Sequence, residues 1–358
     1  MAESIKVEKI ERTVGLDVGD RWSHYCELDE QSGEVLEAGR VRTTAQALAQ
    51  RFEGRRKRVV LEVGCQSPWI SRQLLSLGHE VLVANARRVQ LIHGSSNKSD
   101  RVDAESLARL GRFDPKLLGA IEHRGEQVQV DRAVLKARDV LVRSRARLIG
   151  HVRGMVKSLG GRVRSSSAEH FAVCAMEDVP EALQPALGLV VEQIASLTTV
   201  IRTYDHELEQ MAEQRYPETA LLRQVDGVGL ITSLAFVLKI EDPRRFRRSR
   251  TLGPYLGLVP RRDQSGARDP QLRITKEGDP FVRRLLIQCA RYLLGPFGKD
   301  CALRQHGLRL AERGGPNAKK RAAVAVARKL AVLLHHLWLT AEVYEPLRGI
   351  AADHQHAA

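Results

Sequence analysis

The sequence predicts an α/β domain followed by helices: a five-stranded mixed sheet, a long-helix middle and a mainly helical last third. Three observations predict it. From Thr13 to Val41, short β-branched runs are joined by tight polar turns, and strand-like and helical stretches then alternate. Farther on, long stretches with little Pro show arginine-rich or heptad patterning. Within the first domain, acidic residues interrupt apolar runs, where a carboxylate is costly unless compensated.

The elements follow in order. Strands are expected over 13–18, 23–29 and 34–41, with connections such as Gln31-Ser32-Gly33, which makes an antiparallel meander. A helix over 45–52, a strand over 58–63, a helix over 68–77, a strand over 80–84 and a helix over 87–93 come next. A further helix carries Asp100 and Asp103. The order βββαβαβα is that of the ribonuclease-H-like (RuvC-like) fold. In it Asp17 lies mid-strand on the central strand and Glu62 on the fourth strand beside it.

A basic helix is expected over 130–160. After a break containing Gly160-Gly161 and Ser165-Ser166-Ser167, a second helix runs over about 184–214. Its residues Leu187, Val191, Ile194, Leu197, Ile201, Tyr204, Leu208 and Met211 step by threes and fours as a heptad seam. Such a pair is an internal hairpin or a protomer contact. Oligomerisation is favoured, because an uncovered seam is sticky. The last third contains the turn Val225-Asp226-Gly227-Val228-Gly229-Leu230 and a final helix over 318–343. The domains are therefore drawn at 10–118, 119–215 and 216–345, with a tail over 346–358.

Composition limits the partners. The 358 residues carry 57 Lys and Arg against 43 Asp and Glu, a net charge of +14, which suits a polyanion such as nucleic acid. The five cysteines are scattered without C-x-x-C spacing, as fits a reducing cytosol. The first residues lack a signal peptide's apolar core, and no apolar run reaches the ~18 residues of a membrane span. A cytoplasmic protein without membrane contact is expected.

Four acids stand out against this basic background: Asp17 in Gly-Leu-Asp-Val-Gly, Glu62 in Leu-Glu-Val-Gly, and Asp100 and Asp103 in Lys-Ser-Asp-Arg-Val-Asp. The last two share one helix face. Acids converging from two strands and a helix suit two metal ions ~4 Å apart, which stabilise attacking and leaving oxygens of a phosphodiester. Magnesium is the expected ion, since it prefers carboxylate oxygens and keeps waters for phosphate. Ion-paired surface acids are the alternative for each taken singly. Asp20, Glu27, Asp29 and Glu105 are expected to be exposed bystanders. In the last third, Ser265 precedes Gly266 between Arg261, Arg262 and Arg268. A hydroxyl flanked by cations has the ingredients of a phosphate-attacking nucleophile, although Ser-Gly is also an ordinary turn. Lys276, Arg283 and Arg284 extend the basic surface, and Gly227 and Gly229 would offer backbone amides to phosphate in a helix-hairpin-helix turn, or form a plain helix–helix turn.

These motifs, in this order from about Val14 to about Leu294, resemble the DEDD transposases of the IS-one-ten family of bacterial insertion sequences. The acidic motifs match its RuvC-like nuclease domain. Tyr255–Pro260, Ser265-Gly266, Ile274–Gly278 and Arg283-x-x-Leu286 match its C-terminal domain. The resemblance implies a site-specific DNA recombinase that moves its own element, with a structured noncoding guide RNA pairing to donor and target DNA. It implies that Asp17, Glu62, Asp100 and Asp103 bind magnesium and that Ser265 forms a covalent phosphoserine link to DNA. It also implies a homo-oligomer, dimer or tetramer on DNA, with a composite site shared between protomers. A RuvC-type junction endonuclease would share the acids but need no Ser265 block. A sugar-kinase or actin-like ATPase would need a second Gly- and Thr-rich phosphate loop, which the sequence lacks. A non-catalytic nucleic-acid-binding protein would leave the strand-borne acids unexplained.

Overall fold

The computed structural model describes residues 9–86, 99–266, 268–270 and 272–348, and the helix expected over 87–93 lies outside them. The chain divides into two compact units, the first ending at Gly125 and the second starting at Glu126.

In the first unit, β1 (Arg12–Asp17), β2 (Trp22–Asp29) and β3 (Val35–Arg42) form the antiparallel meander. On the other side of β1, β4 (Arg58–Glu62) and then β5 (Glu80–Ala84) pair in parallel. The order β3-β2-β1-β4-β5 makes β1 central with β4 beside it, in agreement with the ribonuclease-H-like order expected. Helices α1 (Ala45–Phe52), α2 (Ser67–Ser76) and α3 (Asp100–Phe113) flank the sheet.

Strand alternation sorts the side chains. On one face Val14, Leu16, Val59 and Leu61 bury against Leu48, Phe52, Ile70 and Leu74 of α1 and α2. On the other, Cys26 and Leu28 meet Ala104 and Ala108 of α3, and Val60 meets Leu107. Glycine sets how close α3 comes. A Cβ on Gly15 would stand 1.9 Å from the Ala104 carbonyl oxygen, and one on Gly111 would stand 2.3 Å from Val60 Cγ2. Backbone therefore packs on backbone, and the first turn of α3 sits at the C-terminal end of β1.

Glu27 corrects the sequence expectation. It is a keystone of the opposite face, 1% exposed, with Arg12, Arg51 and Lys57 each 2.9 Å from its carboxylate. Although burial opposes ionisation, bonds from these three cations hold its carboxyl down at about 2. A single sequence could not show this, because the cations come from β1, α1 and the loop before β4.

In the second unit, α4 (Glu126–Ser158) and α6 (Gln184–Arg215) form a hairpin around α5 (Phe171–Asp178). Its polar rungs run antiparallel: Arg215 to Asp131 at 2.9 Å, Arg138 to Asp205 at 2.8 Å, and Arg145 to Thr198 at 3.2 Å. Leu187, Val191 and Ile194 close against Ile149, Val152 and Phe171 in one chain. The heptad seam is therefore covered internally, and it does not supply the uncovered contact that favoured oligomerisation. Thr198, not Leu197, completes its buried line, because Leu197 is only half-buried.

The remaining helices are α7 (Glu218–Leu222), α8 (Leu230–Ile240), α9 (Leu252–Tyr255), α10 (Pro280–Leu294), α11 (Ala302–Glu312) and α12 (Ala318–Thr340). They share a core centred on Phe236, Leu286, Leu293, Leu330 and Leu334. Contrary to the expectation that no stretch would suffice, Glu181–Arg215 and Ala318–Thr340 are each long and apolar enough to cross a membrane. Both turn one apolar face into protein: Ile194, Ile201 and Leu208 in the first, Val326, Leu330 and Leu334 in the second.

Candidate metal centre and nucleic-acid interface

Asp17 is the last residue of β1 rather than mid-strand as expected, and Glu62 is the last of β4; both are half-buried. Alternation places them on the α3 face, in phase with Gly15 and Val60 respectively. Ser99 caps α3, its hydroxyl accepting from the Val102 amide, which puts Asp100 and Asp103 in the first turn. The helix dipole favours negative charge there. Packing through Gly15 then brings this turn over the strand ends.

The acids act on one another. The Asp17 carboxyl is pushed from its ordinary 3.8 up to about 6, first by burial and then by the charges of Asp100, Asp103 and Glu62, with His24 opposing. Asp100, Asp103 and Glu62 all act on Asp17 by charge, and of the three only Asp100 has a ligand atom within 4.8 Å of those of Asp17 and His24. Ligand atoms of Asp17, His24 and Asp100 lie within 4.8 Å of one another, and His24 Nδ1 stands 3.5 Å from Asp100 Oδ2. Hard oxygen donors in mutual repulsion, with one imidazole beside them, fit a divalent cation that would neutralise them.

Sequence reasoning missed His24. The signal was present in the meander, because antiparallel pairing across the β1–β2 turn sets Asp17 opposite His24. The loops behind the site are tied together. Gln66 Nε2 donates to the Gly19 carbonyl at 3.3 Å, joining the segments that follow Asp17 and Glu62. Ser67 Oγ accepts from the Gly64 amide at 3.0 Å and meets His123 Nε2 at 2.8 Å. Burial, then Arg72 and Arg124, pushes the His123 imidazole below its ordinary value.

In the second unit, Ser265 sits at the tip of a basic arm. The arm is laddered by the Thr275 amide to the Val259 carbonyl and the Arg261 amide to the Arg273 carbonyl, both at 2.9 Å. Ser265 and Arg268 exchange backbone bonds at 3.1 and 3.0 Å. Gly266 between them takes φ +55°, a left-handed value that suits a tight hairpin turn. Ser265, Arg261, Arg262 and Arg268 are all exposed. Lys276 is exposed at the base of the arm.

Arg283 and Arg284 are engaged within the protein. Arg283 Nη1 donates to the carbonyls of Leu256 at 3.0 Å and Glu277 at 2.8 Å, clamping the base of the arm. Arg284 pairs with Asp139 at 2.5 Å. The glycine turn joins two helices, but the first, Glu218–Leu222, has only five residues. Gly227 takes φ +78° against Tyr292, and Gly229 caps α8.

A sheet whose two central parallel strands end in acids beneath an acid-bearing helix marks the class, DEDD enzymes acting on DNA, which use divalent metal. Two family models match in order. One, described as a transposase and specific to the DEDD type of IS110 elements, covers residues 14–160 and contains all four acids. The other, described as the transposase IS116/IS110/IS902 family, covers residues 219–300 and contains Ser265. The chain belongs to the IS110 family of DEDD transposases. The transposase for insertion sequence element IS1111A of Coxiella burnetii is 28% identical over 341 residues, 93% of this chain and 91% of that protein. The transposase for element IS1328 of Yersinia enterocolitica is 27% identical over 289 residues, 78% of this chain and 82% of that one. A pilin gene-inverting protein of Moraxella lacunata is 29% identical over 157 residues, 41% of this chain and 47% of that one.

Proposed function

We propose that this transposase excises and inserts its element by magnesium-assisted serine recombination, directed by a structured noncoding RNA. The observation that carries the reading is the cluster of Asp17, Asp100 and His24, whose ligand atoms lie within 4.8 Å of one another; burial and then the charges of Asp100, Asp103 and Glu62 raise the Asp17 carboxyl, and a divalent cation relieves that repulsion. Asp17, Glu62, Asp100 and Asp103 would hold the ion. When bound, magnesium supplies positive charge at a scissile phosphate.

Ser265 Oγ attacks phosphorus, its proton leaving to a solvent base. The bond to the departing deoxyribose oxygen breaks, and that oxygen takes up a proton. One P–O bond replaces another, so the reversal rejoins strands without ATP. Arg261, Arg262 and Arg268 offset charge on the phosphate oxygens. A net charge of +14 with only 4% aromatic residues favours phosphate contacts over base stacking. Base reading is accordingly left to a guide RNA paired with donor and target DNA. Joining the two DNAs takes several strand cuts, which a homo-oligomer supplies.

The test incubates the protein with magnesium, the RNA flanking its element, and labelled donor and target DNA, followed by a denaturing gel. An RNA-dependent covalent adduct lost in Ser265→Ala is expected. Cleaved DNA without an adduct would reduce the enzyme to a metal nuclease of the resolvase type, and an adduct formed without RNA would remove the guide.

A further inference from the structure

We propose that the second unit carries a groove for a single nucleic-acid strand, formed by α11, α12 and the base of the 259–275 arm. The cavity there is about 1540 Å³. Its lining contains nine Lys or Arg and a single acid, Glu345, and does not include Ser265. One face of α12 supplies much of it in four-residue steps: 320 and 321, 324 and 325, 328 and 329, 332 and 333, 336 and 337. Cations hold the N-terminal half of that stripe, through Lys320, Arg328 and Lys329. Arg313 continues it at the end of α11, and Arg250 and Arg273 face it from the loops. Arg348, also in the lining, is paired to Glu342.

Two features choose the occupant. Charge comes first. With Arg348 paired to Glu342, eight cations against one acid form a potential that a phosphodiester backbone neutralises by releasing its counterions. The chain's own segment 349–358 contains one acid, Asp353, and cannot balance such a surface. The positive field also shows at His306, pushed below its ordinary value by burial and then by Lys329, Arg309 and Arg313.

The floor is the second feature. Buried Leu258, Leu303 and Leu337 and half-buried Val324 and Leu333 share the lining with Leu272, which is 37% exposed. An apolar floor gains from covering bases, and a duplex keeps its bases stacked inside. A single strand can lay unstacked bases on this aliphatic lining while its phosphates meet the surrounding cations. The inference rests on nucleic acid being the substrate class, but not on Ser265 or the acids. A groove-specific failure is therefore distinguishable from failure of the catalytic reading.

The test measures fluorescence anisotropy of mixed-sequence single-stranded RNA, single-stranded DNA and duplex DNA against the full chain over a salt series. The groove variant combines Arg313→Gln, Lys320→Gln and Lys329→Gln. The control combines Lys157→Gln, Arg202→Gln and Lys319→Gln, cations outside the lining. Three lost phosphate contacts should lower the log–log salt slope by about 2 and single-strand affinity by about 100-fold at 0.1 M salt. The RNA and DNA arms show which strand the groove prefers. Equal loss in groove and control variants would mean diffuse charge and overturn the groove. Unchanged single-strand affinity would overturn it too, as would a change in sizing profile alone, which would make the face a protomer contact.

Discussion

Asn at position 17 is isosteric with Asp but carries no charge, and the structure fixes the sign of its effect. Unfolded Asp17 ionises near its ordinary 3.8, and folded Asp17 near 6. Between those values the folded protein holds a proton that the unfolded chain has released, so this group lowers stability as pH rises through that window. The cost is complete above pH 6. A shift of two units is worth about 3 kcal/mol, and solvent screening at a half-buried site brings it to about 1.5 kcal/mol. Asp17→Asn should therefore stabilise the metal-free protein by about that much at pH 8 and by nothing at pH 3.5. Magnesium should stabilise wild type at pH 8 and the variant much less, because ion binding relieves the same repulsion. Strand cleavage should be lost while the fold gains. The assay is urea unfolding at pH 3.5, 6 and 8 in chelator and in magnesium. A variant less stable than wild type at pH 8 in chelator, or one stabilised equally by magnesium, would refute convergence of the acids on Asp17.

Three further outcomes follow from the packing. Glu27→Gln leaves three cations around a neutral amide and should cost about 3 kcal/mol at neutral pH by urea unfolding. Because the Glu27 carboxyl is depressed from 4.5 to about 2, its stabilisation holds above pH 4.5 and fades as pH falls through 2. The penalty of the variant should shrink on the same path. Gly15→Ala sets a Cβ against the backbone of α3, which rotation of a side chain cannot relieve. It should cost about 3 kcal/mol in thermal or urea unfolding, and it should weaken metal binding by calorimetry through displacement of Asp100 and Asp103. Ile201→Asp buries a charge in the helical hairpin and should cost about 4 kcal/mol or more with loss of helical circular dichroism. A change in assembly size alone, with helicity and melting intact, would return the seam to an interface between protomers.

The division between sequence and tertiary structure runs along the range of the forces. Period-two alternation and tight turns made the meander legible, and the order of strands and helices implied which strand is central. The apolar runs around Asp17 and Glu62 marked those acids as costly, and costly side chains draw attention without any fold. The same local view misjudged Glu27. Its burial is compensated by Arg12, Arg51 and Lys57, which lie 15, 24 and 30 residues away and meet it only in the folded sheet. His24 escaped for a related reason: it stands alone in sequence, and only strand register sets it opposite Asp17. The heptad pattern identified a seam but not its partner, since an intramolecular helix and a second protomer present the same apolar stripe. Arg283 and Arg284 looked like free cations in the chain, and the fold engages both. Sequence by itself determined where the charged and apolar groups lie along each element, because backbone periodicity fixes that locally. Tertiary structure alone decided which charges meet, because that depends on close approaches such as α3 on Gly15, where the absence of one methyl group brings a helix terminus to the acids at the strand ends.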